Sequence, residues 1–320
     1  MHSNSSLNCF ANCQMRYKLS YIDKIPPESQ SPHLGFGIMA HDTLYKAGRL
    51  RDDVADRVVN DDDYYSVIPS ETLYPEYKDY FHIGNWHNYF VGVIKQLAIY
   101  EQNAIQDIIN TSGEPRVIVE REIAAQTGNF KGIIDLLIRT DSYAYIYDYK
   151  FSDNRKSQAD FEENSQLQLY AYFVHTVYDI PLHNIKIGYI DIPKKMPDKP
   201  ILLSTGKLSR SKSQNCTAET YKLYVEALHG KDDPVYNCEK GGYYYDCYME
   251  LQNNKTAYLT DRWLDLEVYA QILQDLMDAA EEIDAKRANP NAKWLRKYDS
   301  YSCKNCDYKK HCKPWLTEVW

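Results

Sequence analysis

Two apolar runs on either side of one short polar segment constrain the fold of this chain most strongly. They flank Thr140-Asp141-Ser142-Tyr143 and are rich in β-branched and aromatic residues. This pattern predicts two strands joined by a tight turn, which is a β-hairpin. If the turn is centred between Asp141 and Ser142, Asp135 is expected to lie directly opposite Asp148 on the neighbouring strand.

Lys150 follows Asp148 by two residues, so strand alternation places both side chains on the same face of the hairpin. Directly opposed carboxylates repel each other, and a divalent cation would neutralise them. Charged groups on an otherwise apolar face are costly and usually mark function. The alternative is a solvated strand face with a chance Asp-x-Lys sequence, which the apolar residues on both faces disfavour. We therefore expect a metal site here.

The composition is that of an ordinary globular protein. With 320 residues, 44% of them hydrophobic, the chain can bury a sizeable core as one elaborated domain or two. The net charge of -8 gives no overall attraction to nucleic acid, so any polyanion site must be local. No secretory leader or membrane-spanning stretch is evident. We expect a soluble, intracellular protein of the cytoplasm with no membrane partner.

Sequence periodicity predicts an α/β fold. Helices are expected from Ser5 to Tyr21, Gly35 to Lys46, Tyr77 to Asn110, Phe161 to Tyr178, Ala218 to His229 and about Asp261 to Ala288. Strands are expected from Arg116 to Ala124, Phe130 to Thr140, Tyr143 to Phe151 and Ile185 to Ile192. The order helix, three strands, helix, strand indicates a mixed sheet with helices on its faces.

Three short motifs follow one another in the central part of the chain: Gly132-x-x-Asp135, Asp148-x-Lys150 and Gln166-x-x-x-Tyr170. In this order and spacing they resemble the PD-(D/E)xK nuclease superfamily, specifically its RecB-like branch. That branch includes the RecB and AddB nuclease domains and the CRISPR-associated single-strand exonucleases. The resemblance implies a restriction-endonuclease-like mixed sheet flanked by helices, and an enzyme that hydrolyses phosphodiester bonds in DNA.

The resemblance also implies roles for individual residues. Asp135, Asp148 and the backbone carbonyl of Tyr149 would hold Mg²⁺ or Mn²⁺, which prefer oxygen ligands. His41, in a segment that looks like the family's histidine-bearing helix, would complete one metal position. Lys150 would orient or activate the attacking water and stabilise the transition state.

Further site residues are expected on the flanking elements. Gln166 and Tyr170 lie four residues apart and so share one helical face, which in the family meets the active site and the DNA strand. Glu122 is an additional candidate acidic ligand. Glu120 lies two residues away on the same strand face, so the sequence leaves the choice between these two acids open.

The cysteines carry a second signature. Cys303-x2-Cys306-x5-Cys312, paired with the distant Cys13, is similar to the iron-sulfur staple of this branch, in which four cysteines hold a 4Fe-4S cluster. Zn²⁺ binds four thiolates equally well, so ligand chemistry alone does not decide the metal, although the resemblance favours iron-sulfur. Cys9 is a rival for Cys13. We expect the cluster to hold the two ends of the chain together.

Four regions are expected along the chain. They are an N-terminal segment with the first cluster cysteine over residues 1–34, a nuclease core over 35–192 with a helical insertion at about 42–112, an irregular basic and tyrosine-rich segment over 193–261, and a C-terminal helix with the cysteine cluster over 262–320. Between Ile192 and Lys212 six basic residues stand against one acid, which predicts either a nucleic-acid contact or a solvated loop. Tyr243 to Tyr245 are candidates for stacking on unpaired bases.

The resemblance implies a stand-alone DNA exonuclease for single strands or strand ends, acting in recombination, repair or DNA processing. A structure-selective endonuclease on the same core is one alternative. A non-catalytic DNA-binding subunit is another, which the complete set of Asp135, Asp148 and Lys150 disfavours. The chain has no G-x-x-x-x-G-K-[ST] phosphate loop, so any unwinding would come from a helicase or recombination partner. The oligomeric state stays open.

Overall fold

The fold is an α/β/α sandwich built on a six-stranded mixed sheet. A computed structural model describes residues 1–28, 32–52, 67, 86–152, 155–193, 197–297 and 300–312. The predicted mixed sheet with helices on its faces is confirmed, and it is consistent with a restriction-endonuclease-like fold. No helix among these residues combines the length and apolar character needed to cross a membrane.

After a short first strand, helices alternate with strands along the chain. The first are β1 (His2–Ser3), α1 (Asn4–Asn12), α2 (Gln14–Tyr17), a π-helical turn (Lys18–Ile22), α3 (Pro32–Asp52) and α4 (Trp86–Ser112). The central ones are β2 (Ile118–Thr127), β3 (Phe130–Arg139), β4 (Ala144–Phe151), α5 (Asp160–Glu163), α6 (Ser165–Tyr178), a 3-10 turn (Leu182–Asn184) and β5 (Ile185–Ile192). The last are α7 (Ala218–His229), α8 (Tyr245–Leu251), β6 (Tyr258–Trp263), α9 (Leu266–Ala288), α10 (Ser300–Lys304) and a 3-10 turn (Lys309–His311).

The strands lie in the order β2-β3-β4-β5-β6, and β1 pairs with the start of β3. Strands β4 and β5 are parallel, because helices α5 and α6 form the crossover between them. The predicted hairpin register is confirmed, since Leu136 pairs with Tyr147 and Arg139 with Ala144. The regular ladder ends at the pair of Leu136 and Tyr147, one position before Asp135 and Asp148.

Each face of the sheet carries its own hydrophobic core. Leu137, Ile146 and Ile187 pack beneath α1, α6 and α9. On the opposite face, Tyr145 and Ile190 pack beneath α3 and α4. Because successive side chains of a strand point to opposite faces, both layers are filled from the same strands.

Strand alternation reverses where Asp135 and Glu122 face each other on β3 and β2. Ile134 and Leu137 both pack on the α6 side, although strict alternation would send them to opposite faces. The ladder between the two strands omits the pair formed by Glu122 and Asp135, and Glu122 has a φ of 47°. Such a backbone conformation is uncommon for a residue other than glycine. As a result Asp135 turns toward α3. Strict alternation predicts that Asp135 and Leu137 share a face, and this prediction is wrong.

Two predicted helices differ from the structure. The segment from Phe161 to Tyr178 is two helices, because Asn164 is extended (φ -101°, ψ 115°) and its side chain accepts a hydrogen bond from the Gln166 N–H, which starts α6. The helix predicted from about Asp261 begins at Leu266, where Asp265 caps two N–H groups. Residues 258–263 instead form β6 and pair with β5.

Other differences lie near the N-terminus. The helix predicted from Ser5 to Tyr21 is broken at Cys13, whose backbone is extended (φ -163°, ψ 106°). Strand β1 is too short to leave a pattern in the sequence. The predicted helix from Gly35 to Lys46 is longer in the structure, and the start of the helix predicted from Tyr77 lies outside the described residues.

Residues 197–257 pack around a small third core between β5 and β6, which includes Tyr221 and Tyr244. Both ends of this segment are held by α4. The Tyr89 hydroxyl donates a hydrogen bond to the carbonyl of Pro193, and the Tyr100 hydroxyl donates one to the carbonyl of Ala257 (2.8 Å). Lys194 and Lys195, part of the predicted basic stretch, lie outside the described residues.

Candidate active site

The hairpin and helix α6 bring four predicted site residues into one polar chain. Lys150 Nζ lies 2.5 Å from Asp148 Oδ2 and donates a hydrogen bond to Gln166 Oε1 (2.8 Å). Gln166 Nε2 in turn donates to the Tyr170 hydroxyl (2.7 Å). Asp148 and Lys150 lie two residues apart on one strand face, and Gln166 and Tyr170 lie four residues apart on one helix face. The Asp-Lys pair therefore faces the Gln-Tyr pair across the packing of β4 and α6.

Asp148 is buried, with 2% of its surface exposed. Its Oδ2 atom contacts the Lys150 ammonium. Burial raises the pKa of Asp148, and the charge of Asp135 raises it further, while Lys150 lowers it only in part. A buried carboxylate whose charge one lysine offsets only in part is costly, and a bound cation would stabilise its charged form.

Asp135 connects the hairpin to helix α3. Its Oδ2 atom accepts a hydrogen bond from the Tyr149 N–H (2.8 Å), and its Oδ1 atom lies 3.5 Å from His41 Nδ1. Burial lowers the pKa of His41, but the contact with Asp135 and the charge of Asp148 outweigh it, so the pKa is raised. Helix α3 therefore brings His41 to the acidic pair, on the side where the family resemblance expects a metal ligand.

The structure separates the two candidate acids of β2. Glu122 lines the same cleft as His41 and Asp135, and burial together with the charge of Asp135 raises its pKa. Glu120 lies on the α6 side, where it forms an ion pair with Arg139 (2.7 Å). The reversal of strand alternation at Glu122 accounts for this separation.

The donor set suits a hard divalent cation. It offers carboxylate oxygens from Asp135, Asp148 and Glu122 and an imidazole from His41. Burial and neighbouring negative charge raise the pKa of Asp148 and Glu122. Within the described residues, no three His, Cys, Asp or Glu side chains already stand in a metal-binding arrangement. The contact between His41 and Asp135 occupies two of the groups that would bind the ion.

Comparison with known protein families identifies the family of this chain. A family model of the PD-(D/E)XK nuclease superfamily matches residues 2–313. The chain belongs to this superfamily. No curated protein matches the sequence. The superfamily comprises phosphodiesterases that act on nucleic acids and typically use Mg²⁺ or Mn²⁺, so the predicted resemblance is confirmed at that level.

One part of this nuclease site was not predicted from its sequence. The Arg121 side chain is 4% exposed, and its guanidinium pairs with Asp52 (3.0 and 3.1 Å) and with Glu101 (2.6 Å). Arg51 contacts the same Glu101 (3.1 Å). These pairs tie α3 and α4 to β2 next to Glu122. No local pattern relates residues 52, 101 and 121, so only the packing of the elements reveals this network.

The Gly48→Ala variant of the nuclease is expected to need more Mg²⁺ for activity. Gly48 lies two helical turns after His41 on α3, and an added Cβ would lie 2.6 Å from Cδ and Nε of Arg121. Because ion pairs hold Arg121, helix α3 has to move away from β2 and take His41 with it. The Mg²⁺ concentration for half-maximal cleavage should rise several-fold.

Gly37 provides a matched control for this change on the same helix. A Cβ added at Gly37 meets no atom within 4 Å, so Gly37→Ala should leave the Mg²⁺ dependence unchanged. An identical response of the two alanine variants would contradict the role given to the contact between α3 and Arg121.

The predicted cluster cysteines lie on the N-terminal and C-terminal segments of the nuclease, which contact each other. Burial raises the pKa of Cys312, and the nearby thiols of Cys13, Cys303 and Cys306 raise it further. Cys9 is also close, since Cys13 and Cys306 contribute to its raised pKa. All of these cysteines are free thiols, and no three of them in the described part of the chain form a ready metal centre. The choice between Cys9 and Cys13 stays open.

Backbone contacts join the two ends independently of any metal. The Met15 N–H donates a hydrogen bond to the carbonyl of Leu295 (2.9 Å), and the Glu28 N–H donates one to the carbonyl of Asp307 (3.0 Å). The ion pair between Arg16 and Asp307 (3.2 Å) adds to them. The thiols therefore lie at the junction of two chain segments that already contact each other.

Proposed function

We propose that this nuclease is a metal-dependent deoxyribonuclease of the RecB-like branch that degrades DNA single strands or strand ends from a free end. The observation that carries this proposal is the continuous chain from Asp148 through Lys150 and Gln166 to Tyr170, with Asp135 and His41 beside it. It supplies acidic ligands, a positioned cation and hydrogen-bond donors within one site. These are the groups that phosphodiester hydrolysis requires.

Each residue has a distinct part in the proposed reaction. Asp135, Asp148, the Tyr149 carbonyl and His41 would hold Mg²⁺ or Mn²⁺, with Glu122 as an additional ligand. When bound, the ion neutralises charge on the phosphate and activates water. Lys150 places its ammonium group beside the attacked phosphate and stabilises the negative charge that develops there.

The two site residues of α6, Gln166 and Tyr170, position Lys150. Gln166 holds the Lys150 ammonium through its Oε1 atom, which limits the rotamers of a flexible side chain. The Tyr170 hydroxyl accepts a hydrogen bond from Gln166 Nε2, so its position is coupled to that of Lys150. Together they orient the lysine toward the phosphate.

End-labelled DNA tests the proposed activity. Linear and circular substrates, each single- and double-stranded, are incubated with Mg²⁺ or Mn²⁺. We expect release of labelled mononucleotides or short products from linear DNA, and no cleavage of circular single strands, because the proposed activity needs a free end. Cleavage of the circle would identify a structure-selective endonuclease on the same core. Absence of cleavage of all four substrates would support a non-catalytic subunit.

We also propose that Cys13, Cys303, Cys306 and Cys312 hold a 4Fe-4S cluster that joins the two ends of the chain. Four neighbouring thiols of which three come from one short segment support this ligand set. Protein purified without oxygen should be brown and contain iron and sulfide, and Cys13→Ser should lose both. Cys238→Ser, which changes a cysteine of the third core, should keep them. Colourless protein that contains zinc and no iron would contradict the cluster.

A further inference from the structure

A stack of three rings and one guanidinium lies on the segment 197–257, outside the residues assigned to hydrolysis. The rings of His229 and Tyr236 are stacked, with centroids 4.7 Å apart and planes 17° apart. Tyr236 meets Tyr243 edge-on at 5.4 Å, and the Arg210 guanidinium lies 4.4 Å from the centre of the Tyr243 ring. We call these four residues the aromatic stack.

The outer rings of the aromatic stack are more exposed than a core role requires. Tyr221 and Tyr244 fill the third core beneath them and are 0% and 1% exposed. Tyr236 and Tyr243 cover this core but keep 37% and 44% of their surface exposed. Exposed aromatic faces in a cluster are typical of a binding surface and not of a finished core.

The same segment carries exposed basic side chains, of which Arg210 lies against the Tyr243 ring. Residues 199–212 contain four exposed basic residues and no acid: Lys199, Lys207, Arg210 and Lys212. None of the four forms an ion pair with a residue that the structure describes. Asp233 lies near the stack, but its carboxylate accepts hydrogen bonds from the N–H groups of Val235 and Tyr236. Arg210 therefore places a positive charge beside the rings, where a phosphate can bind.

The topology places this segment at the catalytic end of the sheet. The chain leaves the sheet after Ile192, which pairs with Phe151, the residue next to Lys150. It returns at Tyr258, which pairs with Asp191, and Asp191 itself pairs with Lys150. The segment therefore begins and ends at the sheet position that carries the catalytic lysine.

We propose that the aromatic stack binds an unpaired nucleic-acid strand, with bases on the Tyr236 and Tyr243 rings and a phosphate on the neighbouring Arg210. This inference rests on the proposed function and assigns its substrate class. Every base has a π face, so tyrosines bind single strands without sequence preference. A duplex keeps its bases stacked on one another and offers this surface only phosphates. The stack therefore selects single strands over duplexes.

Binding of fluorescein-labelled oligothymidylate in EDTA tests this surface, because no cleavage occurs without metal. The full chain is used, and fluorescence anisotropy gives the Kd. Tyr243→Ala should raise the Kd roughly 5- to 150-fold, the range expected for loss of one stacked base. Tyr243→Phe should bind like the natural protein, since it retains the ring. Arg210→Met should lower the dependence of log K on log salt concentration by about one phosphate contact.

Two controls separate stacking from general damage. Leu223→Ala changes a residue that is 64% exposed on the same segment but has no ring, and it should bind like the natural protein. Binding of a duplex of the same length should change less than twofold in Tyr243→Ala. Unchanged oligothymidylate affinity in Tyr243→Ala would overturn the proposal. A change in sedimentation of Tyr243→Ala without loss of strand binding would also overturn it, by showing an interface between protein chains.

The proposal and the proposed function can fail separately. Hydrolysis of bis(p-nitrophenyl) phosphate with Mn²⁺ requires the metal site but no base stacking, so Tyr243→Ala should retain it and Lys150→Ala should lose it. Stack-dependent strand binding by a protein that hydrolyses no diester would support the surface and reject the nuclease chemistry. Diester hydrolysis without stack-dependent binding would support the nuclease chemistry and reject the strand-binding surface.

Discussion

The Lys150→Met variant is expected to lose metal-dependent cleavage by roughly 10²- to 10⁴-fold, the range for removing one positioned group of this kind. The change removes the ammonium group that contacts Asp148 and is held by Gln166. It should also destabilise the metal-free protein, because Asp148 stays buried without its compensating charge. Breaking a buried pair costs about 3–5 kcal/mol, and since Lys150 is 26% exposed the loss should lie below that range. Initial cleavage rates and urea denaturation in EDTA measure the two effects.

A double variant separates catalysis from stability. Asp148→Asn removes the buried charge and the metal ligand, so Asp148→Asn combined with Lys150→Met should stay inactive but recover most of the lost stability. Mg²⁺ should stabilise Lys150→Met more than Mg²⁺ stabilises the double variant, because only the single variant retains the carboxylate. Undiminished metal-dependent cleavage by Lys150→Met or Asp148→Asn would rule out the catalytic assignment.

The Arg121→Met variant is expected to have the largest effect on folding. The Arg121 side chain is 4% exposed and Glu101 is 12% exposed, so the change leaves a buried carboxylate whose remaining ion pair, among the described residues, is with Arg51. Loss of one partner of such a pair costs about 3–5 kcal/mol. Asp52 is 34% exposed and should add little, because solvent screens its charge. The free energy of unfolding in urea measures the loss.

Two further variants calibrate this result. Arg121→Lys keeps the positive charge but cannot pair with Asp52 and Glu101 through a planar fork, so its stability should be intermediate. Lys222→Met removes a surface ion pair with Glu226 (3.8 Å) and should cost less than about 1 kcal/mol. Equal losses from Arg121→Met and Lys222→Met would show that the buried network contributes nothing special.

The local elements of the site could be predicted closely. The hairpin register follows from the polar turn at Asp141 and Ser142, and the helix from Ala218 to His229 has the predicted ends because Thr217 caps its start and Gly230 ends it. The strand from Ile185 to Ile192 also has the predicted bounds. In these cases residues a few positions apart determine the outcome.

Elements that depend on distant partners were predicted less well. Residues 258–263 form a strand because β5 offers an open edge to pair with. The local sequence pattern does not separate them from the helix that follows. The interruption of the helix from Phe161 to Tyr178 has a local cause, because Asn164 caps α6 with its side chain. Local periodicity does not show which of two competing backbone hydrogen-bond partners a residue takes.

The sequence by itself determined the pair Asp148 and Lys150 on one strand face and the pair Gln166 and Tyr170 on one helix face, because the periods of strand and helix act within a few residues. Only the tertiary structure decided that Asp135 turns toward His41 and that Glu122, not Glu120, lies beside it. It also assembled the Arg121 network that holds α3 against the sheet. These outcomes depend on how α3, α4 and the sheet pack, and packing brings together side chains whose separation along the chain carries no repeating pattern.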